Sequence, residues 1–201
     1  MTRPSTNRPA RRIGRRWIVV SPETWPGKCT GALPLMVPRG AFGSGEHETT
    51  ASCLEILEEL DDVAGSSVLD VGCGTGVLAV AALKLGAAEA TGIDISHRAA
   101  ATSVLTARIN GVGERLNVAV ASLAAMRGRR FSLVLANLYA DVLLAHASSL
   151  VAVCRPKATI ILSGIAWESG FLVRQRFEKL GCTVLFERWL CEYVSMALLS
   201  P

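Results

Sequence analysis

Hydrophobic positions along this chain follow two alternating periods. From residue 67 onward, short β-rich apolar runs are separated by stretches whose apolar residues recur every three or four positions. Before them, Cys53, Leu54, Leu57 and Leu60 follow helical spacing, and acids occupy the other positions. The pattern therefore predicts an amphipathic helix over residues 47–60 that packs on a larger body.

The same alternation predicts strand and helix in turn through the rest of the chain. The predicted strands are residues 67–71, 90–95, 116–121, 131–136, 159–163, 183–186 and 193–199. The predicted helices are residues 77–85, a stretch running from a Ser96 cap to residues 110–111, and residues 141–153 and 167–180. This order favours a Rossmann-like α/β domain, with helices on both faces of a mostly parallel seven-stranded sheet that has one antiparallel strand.

The amino-terminal part has a different character. Residues 1–20 contain six arginines and no acid, and residues 1–16 are expected to lack regular structure. Residues 17–20 form a short apolar run that predicts an edge strand or a docking segment, and four prolines punctuate the connector that follows. We therefore divide the chain into a basic arm and Pro-rich connector, residues 1–40, and a Rossmann-like domain, residues 41–201. The arm is either a solvated tail or a contact for RNA.

Composition narrows the class of protein. A chain of 201 residues with 50% hydrophobic and 19% charged residues is typical of one globular domain. Its longest apolar run, residues 77–83, is too short for a membrane span, and no secretion signal is recognisable, so we expect a soluble cytoplasmic protein without membrane contact. Six cysteines without a Cys-x-x-Cys pair predict neither a metal site nor a disulfide framework. The oligomeric state is left open.

Three glycines mark the turn between the first predicted strand of the domain and its helix. Gly72, Gly74 and Gly76 follow the strand that contains Asp70, which is the position where a doubly wound fold binds its cofactor. A tight structural turn would use the same residues. Asp94, at the end of the second strand and 24 residues after Asp70, is placed to accept hydrogen bonds from a ribose. Together these residues predict a nucleotide cofactor.

Asp70 and the glycine spacing distinguish between two such cofactors. A carboxylate that faces the glycine loop would repel a pyrophosphate and attract the ammonium and sulfonium charges of S-adenosyl-L-methionine. The third glycine also follows the second by two residues rather than three, so the dinucleotide fingerprint is missed. We therefore expect S-adenosyl-L-methionine. A nicotinamide-dependent oxidoreductase and a non-catalytic S-adenosylmethionine-binding module remain alternatives.

The sequence resembles the PrmA family of ribosomal protein methyltransferases. The resemblance runs from about residue 11 to the carboxyl terminus, on the glycine loop, AFGSGEHETT at 41–50, Ala-Asn-Leu at 136–138 and Leu-Ser-Gly-Ile at 162–165. It implies N-methylation of amino groups on a protein of the large ribosomal subunit, which would make that protein the substrate partner. The implied family also carries an amino-terminal domain that presents the substrate, and here the basic arm stands in its place. We therefore expect weakened specificity for the ribosomal protein.

The resemblance and the strand ends together nominate the site. The candidate cofactor-binding residues are Phe42, Gly43, Thr49, Asp70, Gly72, Cys73, Gly74, Thr75, Gly76, Asp94, Ile95 and Asn137. Ser122 stands where many related enzymes place an acid for the adenine amino group. Glu46 and Glu48 replace the usual Thr and Pro of the family, which would add negative charge at the mouth of the site.

The candidate catalytic residues are Asn137, Tyr139 and His47. Methyl transfer from a sulfonium needs an aligned neutral nucleophile and exclusion of water rather than a strong base. The Asn137 carbonyl is suited to accept a hydrogen bond from an amine, and the alternative is that it satisfies a strand end. Tyr139 lines the entrance or begins the next helix, and His47 assists deprotonation or holds the 43–45 loop. Because residues 137–140 lack the prolines of motifs used on planar amides and bases, we expect an aliphatic amine acceptor.

Overall fold

A seven-stranded sheet organises the chain, and a smaller three-stranded sheet lies beside it. The computed structural model describes residues 10–25, 27, 31–38 and 47–201. The strands are β1 (Arg11–Ile13), β2 (Trp17–Val20), β3 (Leu33–Met36), β4 (Ser67–Val71), β5 (Glu89–Asp94), β6 (Leu116–Val120), β7 (Phe131–Asn137), β8 (Cys154–Ala166), β9 (Thr183–Trp189) and β10 (Tyr193–Leu199). The α-helices are α1 (Glu48–Glu59), α2 (Val77–Lys84), α3 (His97–Ile109), α4 (Ala140–Ala152) and α5 (Trp167–Glu178).

The large sheet confirms the predicted fold class. Its strand order is β6-β5-β4-β7-β8-β10-β9, and the pairs from β6 to β8 are all parallel. Only β10 runs in the opposite direction, and it pairs antiparallel with both β8 and β9. Because parallel strands need crossovers, α2, α3 and α4 connect β4 to β5, β5 to β6 and β7 to β8 across the faces of the sheet, whereas β6 and β7 are joined by a segment with a short 3-10 turn, Leu123–Met126.

Alternate residues of the central strands are buried on opposite faces. Val68 of β4 belongs to the cluster under α1 and α2, whereas its neighbour Leu69 belongs to the cluster under α4 and α5. All five residues of β4 are buried, which requires helices on both faces. The two-layer burial explains why the strand sequences are apolar runs rather than polar-apolar alternations.

Helix α1 is buried around most of its circumference because it packs between the two sheets. Its glutamates, which the sequence pattern placed at the positions between the apolar residues, contact neighbouring segments. The Glu58 carboxylate accepts hydrogen bonds from the backbone N–H groups of Arg15 and Arg16, at 2.8 and 2.9 Å. Arg188 of β9 forms ion pairs with Glu55 at 2.7 Å and Glu59 at 2.5 Å. The helix therefore ties the small sheet to the far edge of the large one.

The amino-terminal segment corrects two expectations. Residues 11–13 form strand β1, so residues 1–16 do not all lack regular structure, and residues 17–20 form the central strand of the small sheet rather than an edge. Only Ile13 of β1 is apolar, so hydrophobic periodicity could not reveal the strand. Trp17 is fully buried and its indole N–H donates to Leu54 O at 2.9 Å, which anchors the segment on α1.

The third strand of the small sheet is held by a side-chain amide. Asn110, at the carboxyl end of α3, accepts from Met36 N at 3.0 Å and donates to Met36 O at 2.7 Å. The amide thus pairs with β3 as a neighbouring strand would. The connector predicted around the prolines contains this ordered strand. The sequence pattern did not show it, because Asn110, which holds it, lies 74 residues away.

Most predicted boundaries in the large sheet agree with the structure within two residues, but two strands are longer. The strand predicted at 159–163 extends over Cys154–Ala166, and the one at 183–186 extends to Trp189. Within the described ranges, no helix is both long and apolar enough to cross a membrane.

Candidate functional site

The carboxyl ends of the parallel strands surround a cavity of about 610 Å³. Its walls come from the segments that follow β4, β5, β6 and β7, together with parts of α3 and α4. The volume lies within the range of about 300–1,000 Å³ typical of small-molecule and cofactor sites. This is the edge of the sheet at which doubly wound folds bind ligands.

The glycine loop forms one wall through its backbone. Gly72 N and Cys73 N donate to Ile93 O at 2.8 and 3.0 Å, so the loop is fastened to β5. Gly72 has a φ of +67°, and a Cβ there would come within 2.5 Å of a Leu138 methyl carbon. Glycine is therefore required both by conformation and by the close approach of the β7–α4 connection.

Asp94 lies in the cavity wall at the end of β5, as predicted. Its carboxylate accepts from Gly74 N at 3.0 Å and from Ser96 N at 2.9 Å. These two donors fix the carboxylate between the glycine loop and the start of α3. Ile95, which follows it, is 82% exposed and also lines the cavity. A fixed anion beside an exposed apolar side chain suits a ligand that carries hydroxyl groups next to a flat ring.

Asp70 differs from the expectation that its carboxylate faces the ligand. It is buried, it is not among the cavity-lining residues, and Oδ2 accepts from Ala79 N at 3.3 Å in the first turn of α2. Gly76 provides no side-chain cap for this helix, so Asp70 supplies the missing acceptor. Burial raises the pKa of Asp70 to about 7, the Ala79 N–H opposes that rise, and the nearby Asp94 charge adds to it.

Three other loop candidates also stand behind the cavity wall. Cys73 and Thr75 are buried, and neither lines the cavity. The Cys73 sulfur lies 3.2 Å from where a Cβ on Gly92 would stand, and burial raises its pKa to about 12. Gly76 has a φ of +74°, and a Cβ there would overlap the Ser103 hydroxyl of α3. The structure thus explains Gly76 by helix packing.

Asn137 lines the cavity at the end of β7, opposite Asp94 along the sheet edge. Its Nδ2 donates to Thr50 Oγ1 at 3.3 Å, which orients the amide. Gly164 of β8 allows this arrangement: a Cβ there would come within 2.7 Å of Leu138 O and 3.1 Å of Asn137 Oδ1. Thr50, which was not among the predicted site residues, therefore contributes through a contact 87 residues away in sequence.

The predicted histidine and tyrosine stand at the cavity mouth. His47 is the N-cap of α1, with Nδ1 3.4 Å from Thr49 N and 2.8 Å from Thr49 Oγ1. Its ring also meets that of Tyr193 edge to face at 5.2 Å. Tyr139 is 69% exposed at the start of α4. These contacts favour a structural role for His47, which holds the start of α1. Tyr139 and Tyr193 both line the mouth.

Glu48 also has a different role from the one expected. Its carboxylate accepts from Cys191 N at 3.1 Å and Glu192 N at 3.4 Å, in the turn between β9 and β10. Its charge is thus engaged with backbone donors of the turn that carries Tyr193, rather than open at the mouth. Phe42, Gly43 and Glu46 lie outside the described residues.

Several lining residues were not among the predicted site residues. They are Val71, Ile93, Ser96, Arg98, Ala99, Thr102, Ala121, Leu123, Val142, Leu150, Gly164, Tyr193, Leu138 and His146. His146 of α4 is both exposed and part of the wall. Ser122 lies in the wall at the end of β6, as expected. Some of the others follow a strand or lie in the first turns of α3 and α4, which is a signal the sequence offers. Val71, Ile93, Leu150, Gly164 and Tyr193 lie elsewhere in their elements and reach the wall through the packing of the fold.

Comparisons with known proteins agree with this geometry. The family model described as "Ribosomal protein L11 methyltransferase (PrmA)" matches residues 6–191. The chain belongs to the PrmA family. A ribosomal protein L11 methyltransferase from Methylococcus capsulatus is 40% identical over 175 residues, which are 87% of this chain and 58% of that protein. One from Actinobacillus pleuropneumoniae is 41% identical over 152 residues, 75% of this chain and 50% of that protein.

The match with these relatives is partial in length, and the match with solved structures is broad. This PrmA-family chain spans between 50% and 58% of those two relatives. A crystal structure of a ribosomal protein L11 methylase from Lactobacillus delbrueckii subsp. bulgaricus superposes with a TM-score of 0.86 at 25% identity, covering 94% of this chain and 97% of that one. The magnesium protoporphyrin IX methyltransferase of Synechocystis, at 18% identity and a TM-score of 0.65, shares the fold over 80% of this chain and 84% of that one.

Proposed function

We propose that this chain is an S-adenosyl-L-methionine-dependent methyltransferase that N-methylates amino groups of a protein. The observation that carries the proposal is the convergence of Asp94, the glycine-loop backbone and Asn137 on one cavity at the carboxyl edge of the sheet. Membership in the PrmA family favours methyl transfer over the nicotinamide-dependent alternative. Several relatives are named for methylation of ribosomal protein L11, so that protein is the proposed substrate.

The donor groups of the cavity fit S-adenosylmethionine. Each Asp94 oxygen accepts one backbone N–H and retains a further lone pair for a ribose hydroxyl. Ile95 and Leu123 offer apolar contacts to the adenine, and Ser122 replaces a charged partner for its amino group. Gly72 and Gly74 line the cavity without side chains, so the methionine end can lie against main-chain atoms of the glycine loop beside Asn137.

In this assignment, the residues of the chain mainly align the acceptor and exclude water. When bound, S-adenosylmethionine supplies a methyl group on a sulfonium, which is already an activated leaving group. The Asn137 carbonyl, whose amide is oriented by Thr50, accepts a hydrogen bond from the acceptor amine and directs its lone pair inward. Tyr139 and Tyr193 narrow the entrance, and His47 keeps the start of α1 in place beside them.

Two further parts of the proposal concern a contact with RNA and the cellular location of the reaction. Arg11, Arg12, Arg15 and Arg16 are exposed on β1 and its turn, which supports a contact with RNA near the substrate. A ribosomal-protein substrate would place the reaction in the cytoplasm. The RNA contact would make association with RNA weaken steeply as salt is raised.

Calorimetry with S-adenosylhomocysteine and with NAD tests the cofactor assignment. We expect micromolar binding of S-adenosylhomocysteine and negligible binding of NAD. Tighter binding of NAD would overturn it. Transfer of labelled methyl groups to purified ribosomal protein L11, with mass spectrometry of the modified residue, tests the activity. Binding without turnover on any protein amine would support the non-catalytic module instead.

A further inference from the structure

Exposed aromatic side chains stand at the cavity mouth and on elements beside it: Tyr139 lines the cavity, Trp167 and Phe171 lie one turn apart on α5, and Trp189 ends β9. Tyr139 is 69% exposed, Trp167 47%, Phe171 69% and Trp189 61%. The whole chain has eleven Phe, Trp and Tyr residues, so over a third of them are exposed in this one region. We call Tyr139, Trp167, Phe171 and Trp189 the aromatic rim. Clusters of exposed aromatic residues are typical of interaction surfaces, because they bury large areas with little loss of side-chain entropy.

The aromatic rim is continuous with the cavity through defined contacts. The Trp167 indole N–H donates to Tyr193 O at 3.2 Å, and Tyr193 lines the cavity. The tip of the Trp189 ring lies 3.9 Å from where a Cβ on Gly170 would stand, so the ring rests against the first turn of α5. Tyr139 reaches the same mouth from the start of α4. A polypeptide whose side chain entered the cavity would therefore lie against the rim.

The charges around the rim select the chemistry of its partner. Segments 139–141, 167–171 and 189–193 contain the acids Asp141, Glu168 and Glu192, all exposed, and no lysine or arginine. The nearest cations in sequence are already paired: Arg188 binds Glu55 and Glu59, and Arg174 binds Glu178 and Glu187. Three acids repel nucleic-acid phosphates, and two copies of this surface would bring six acids together. A cationic partner is favoured.

We propose that the aromatic rim binds a segment of the methyl-acceptor protein that carries both apolar and positively charged residues and delivers its amine to the cavity. The proposal rests on the proposed methyltransferase function and adds where its substrate is recognised. The aromatic side chains supply the buried area, and the three acids attract the ammonium groups. The binding energy obtained at the rim then positions the amine beside Asn137.

The experiment compares Phe171→Ala, Trp189→Ala and the double variant with wild type. Leu185→Ala is the matched control, because Leu185 is 47% exposed on the same strand as Trp189, about 13 Å away at about 3.3 Å per residue. Each protein is assayed by labelled methyl transfer to ribosomal protein L11 and to a lysine-containing tripeptide, at low and high salt. Calorimetry with S-adenosylhomocysteine checks the fold and the cofactor site, and light scattering gives the oligomeric state.

We expect kcat/KM for the protein to fall about tenfold or more in the double variant, while tripeptide methylation and S-adenosylhomocysteine affinity stay at the wild-type level. Raising the salt concentration should lower the wild-type kcat/KM for the protein by more than Leu185→Ala does. Equal activity of the double variant and wild type on the protein would overturn the rim assignment and leave the proposed function intact. A change of oligomeric state in the double variant would assign the rim to self-association and also overturn it. A wild type that methylates neither acceptor removes the proposed function and this inference together.

Discussion

At the scale of single residues, we expect ligand binding to depend most on Asp94. Its carboxylate is fixed by Gly74 N and Ser96 N, so it is preorganised before a ligand arrives. We predict that Asp94→Ala weakens S-adenosylhomocysteine binding by about 1–3 kcal/mol, since it leaves ribose and backbone donors without their acceptor.

Isothermal calorimetry measures this change, and Asp61→Ala, which removes an exposed acid beyond the end of α1, is the matched control. Thermal denaturation confirms that both variants fold. If Asp94→Ala binds as tightly as Asp61→Ala, the ribose is held by other groups.

Asp70 makes stability depend on pH in an unusual direction. Burial raises its pKa from 3.8 to about 7, so between these values the folded chain keeps a proton that the unfolded chain has released. Stability contributed by this group is therefore fully present below about pH 4 and is lost as pH rises through about 7. We predict that Asp70→Asn flattens this part of the pH dependence, and urea unfolding of both proteins at pH 5 and pH 8 measures it. A wild-type-minus-variant difference that is the same at both pH values would contradict the assignment.

Several residues predicted for the site line the cavity. Gly72, Gly74, Asp94, Ile95 and Asn137 end a strand or follow one, and that position together with the family resemblance predicted them at the site. The Asp70 carboxylate was predicted to face the ligand, but it accepts from the first turn of α2. The sequence pattern did not show that Gly76 leaves this helix without a side-chain cap. Thr50 was missed because its partner Asn137 becomes adjacent only when α1 packs across the carboxyl ends of β7 and β8.

At the scale of elements, long-range pairing explains the boundaries that the sequence pattern did not predict. Arg155, Pro156 and Lys157 interrupt the apolar run that precedes residue 159, yet β8 includes them. At the other end, Ala166 pairs with Tyr193 of β10 and so extends the strand past Gly164. Strand β1, with two exposed arginines, exists because it pairs with β2. In each case the partner strand, not local propensity, determines the element.

The turn between β9 and β10 depends on Glu48 at the start of α1. Its two oxygens accept the N–H groups of Cys191 and Glu192, which positions Tyr193 at the cavity mouth. We predict that Glu48→Ala accelerates amide hydrogen exchange of the 190–193 turn by about tenfold, as expected for loss of roughly 1–2 kcal/mol of charge-assisted hydrogen bonding. Exchange followed by mass spectrometry measures this, with Glu89→Ala as the control. Unchanged exchange at the turn would show that backbone pairing alone holds it.

The small sheet is attached to α1 through one side chain above all. Trp17 is fully buried, and its indole donates to Leu54 O. We predict that Trp17→Ala lowers the free energy of unfolding by about 3–5 kcal/mol, because it leaves a large cavity and removes the hydrogen bond to Leu54 O. Chemical denaturation measures the loss. Trp189→Ala removes the same side chain from an exposed position and should change stability by less than about 0.5 kcal/mol.

At the scale of the whole molecule, the small sheet and the large sheet share one core. Ile13, Trp17 and Leu35 belong to the same buried cluster as Leu54 of α1 and Leu83 of α2. The division of the chain near residue 40 stays a prediction about sequence organisation, and the shared cluster describes how the two parts pack. One contiguous core favours cooperative unfolding, because neither part can lose its partner without exposing buried apolar surface.

We therefore predict a single unfolding transition for the whole chain. Calorimetry should give one peak whose calorimetric and van't Hoff enthalpies agree, and far-UV circular dichroism should report the same midpoint. S-adenosylhomocysteine should raise that midpoint without splitting it, since a ligand held between the ends of β4, β5 and β7 stabilises the same cooperative unit. Trp17→Ala should lower the midpoint and keep one peak if the sheets unfold together. Two resolved peaks in the wild type, of which only one responds to ligand, would mean that the small sheet unfolds independently and that the shared core does not couple the arm to the site.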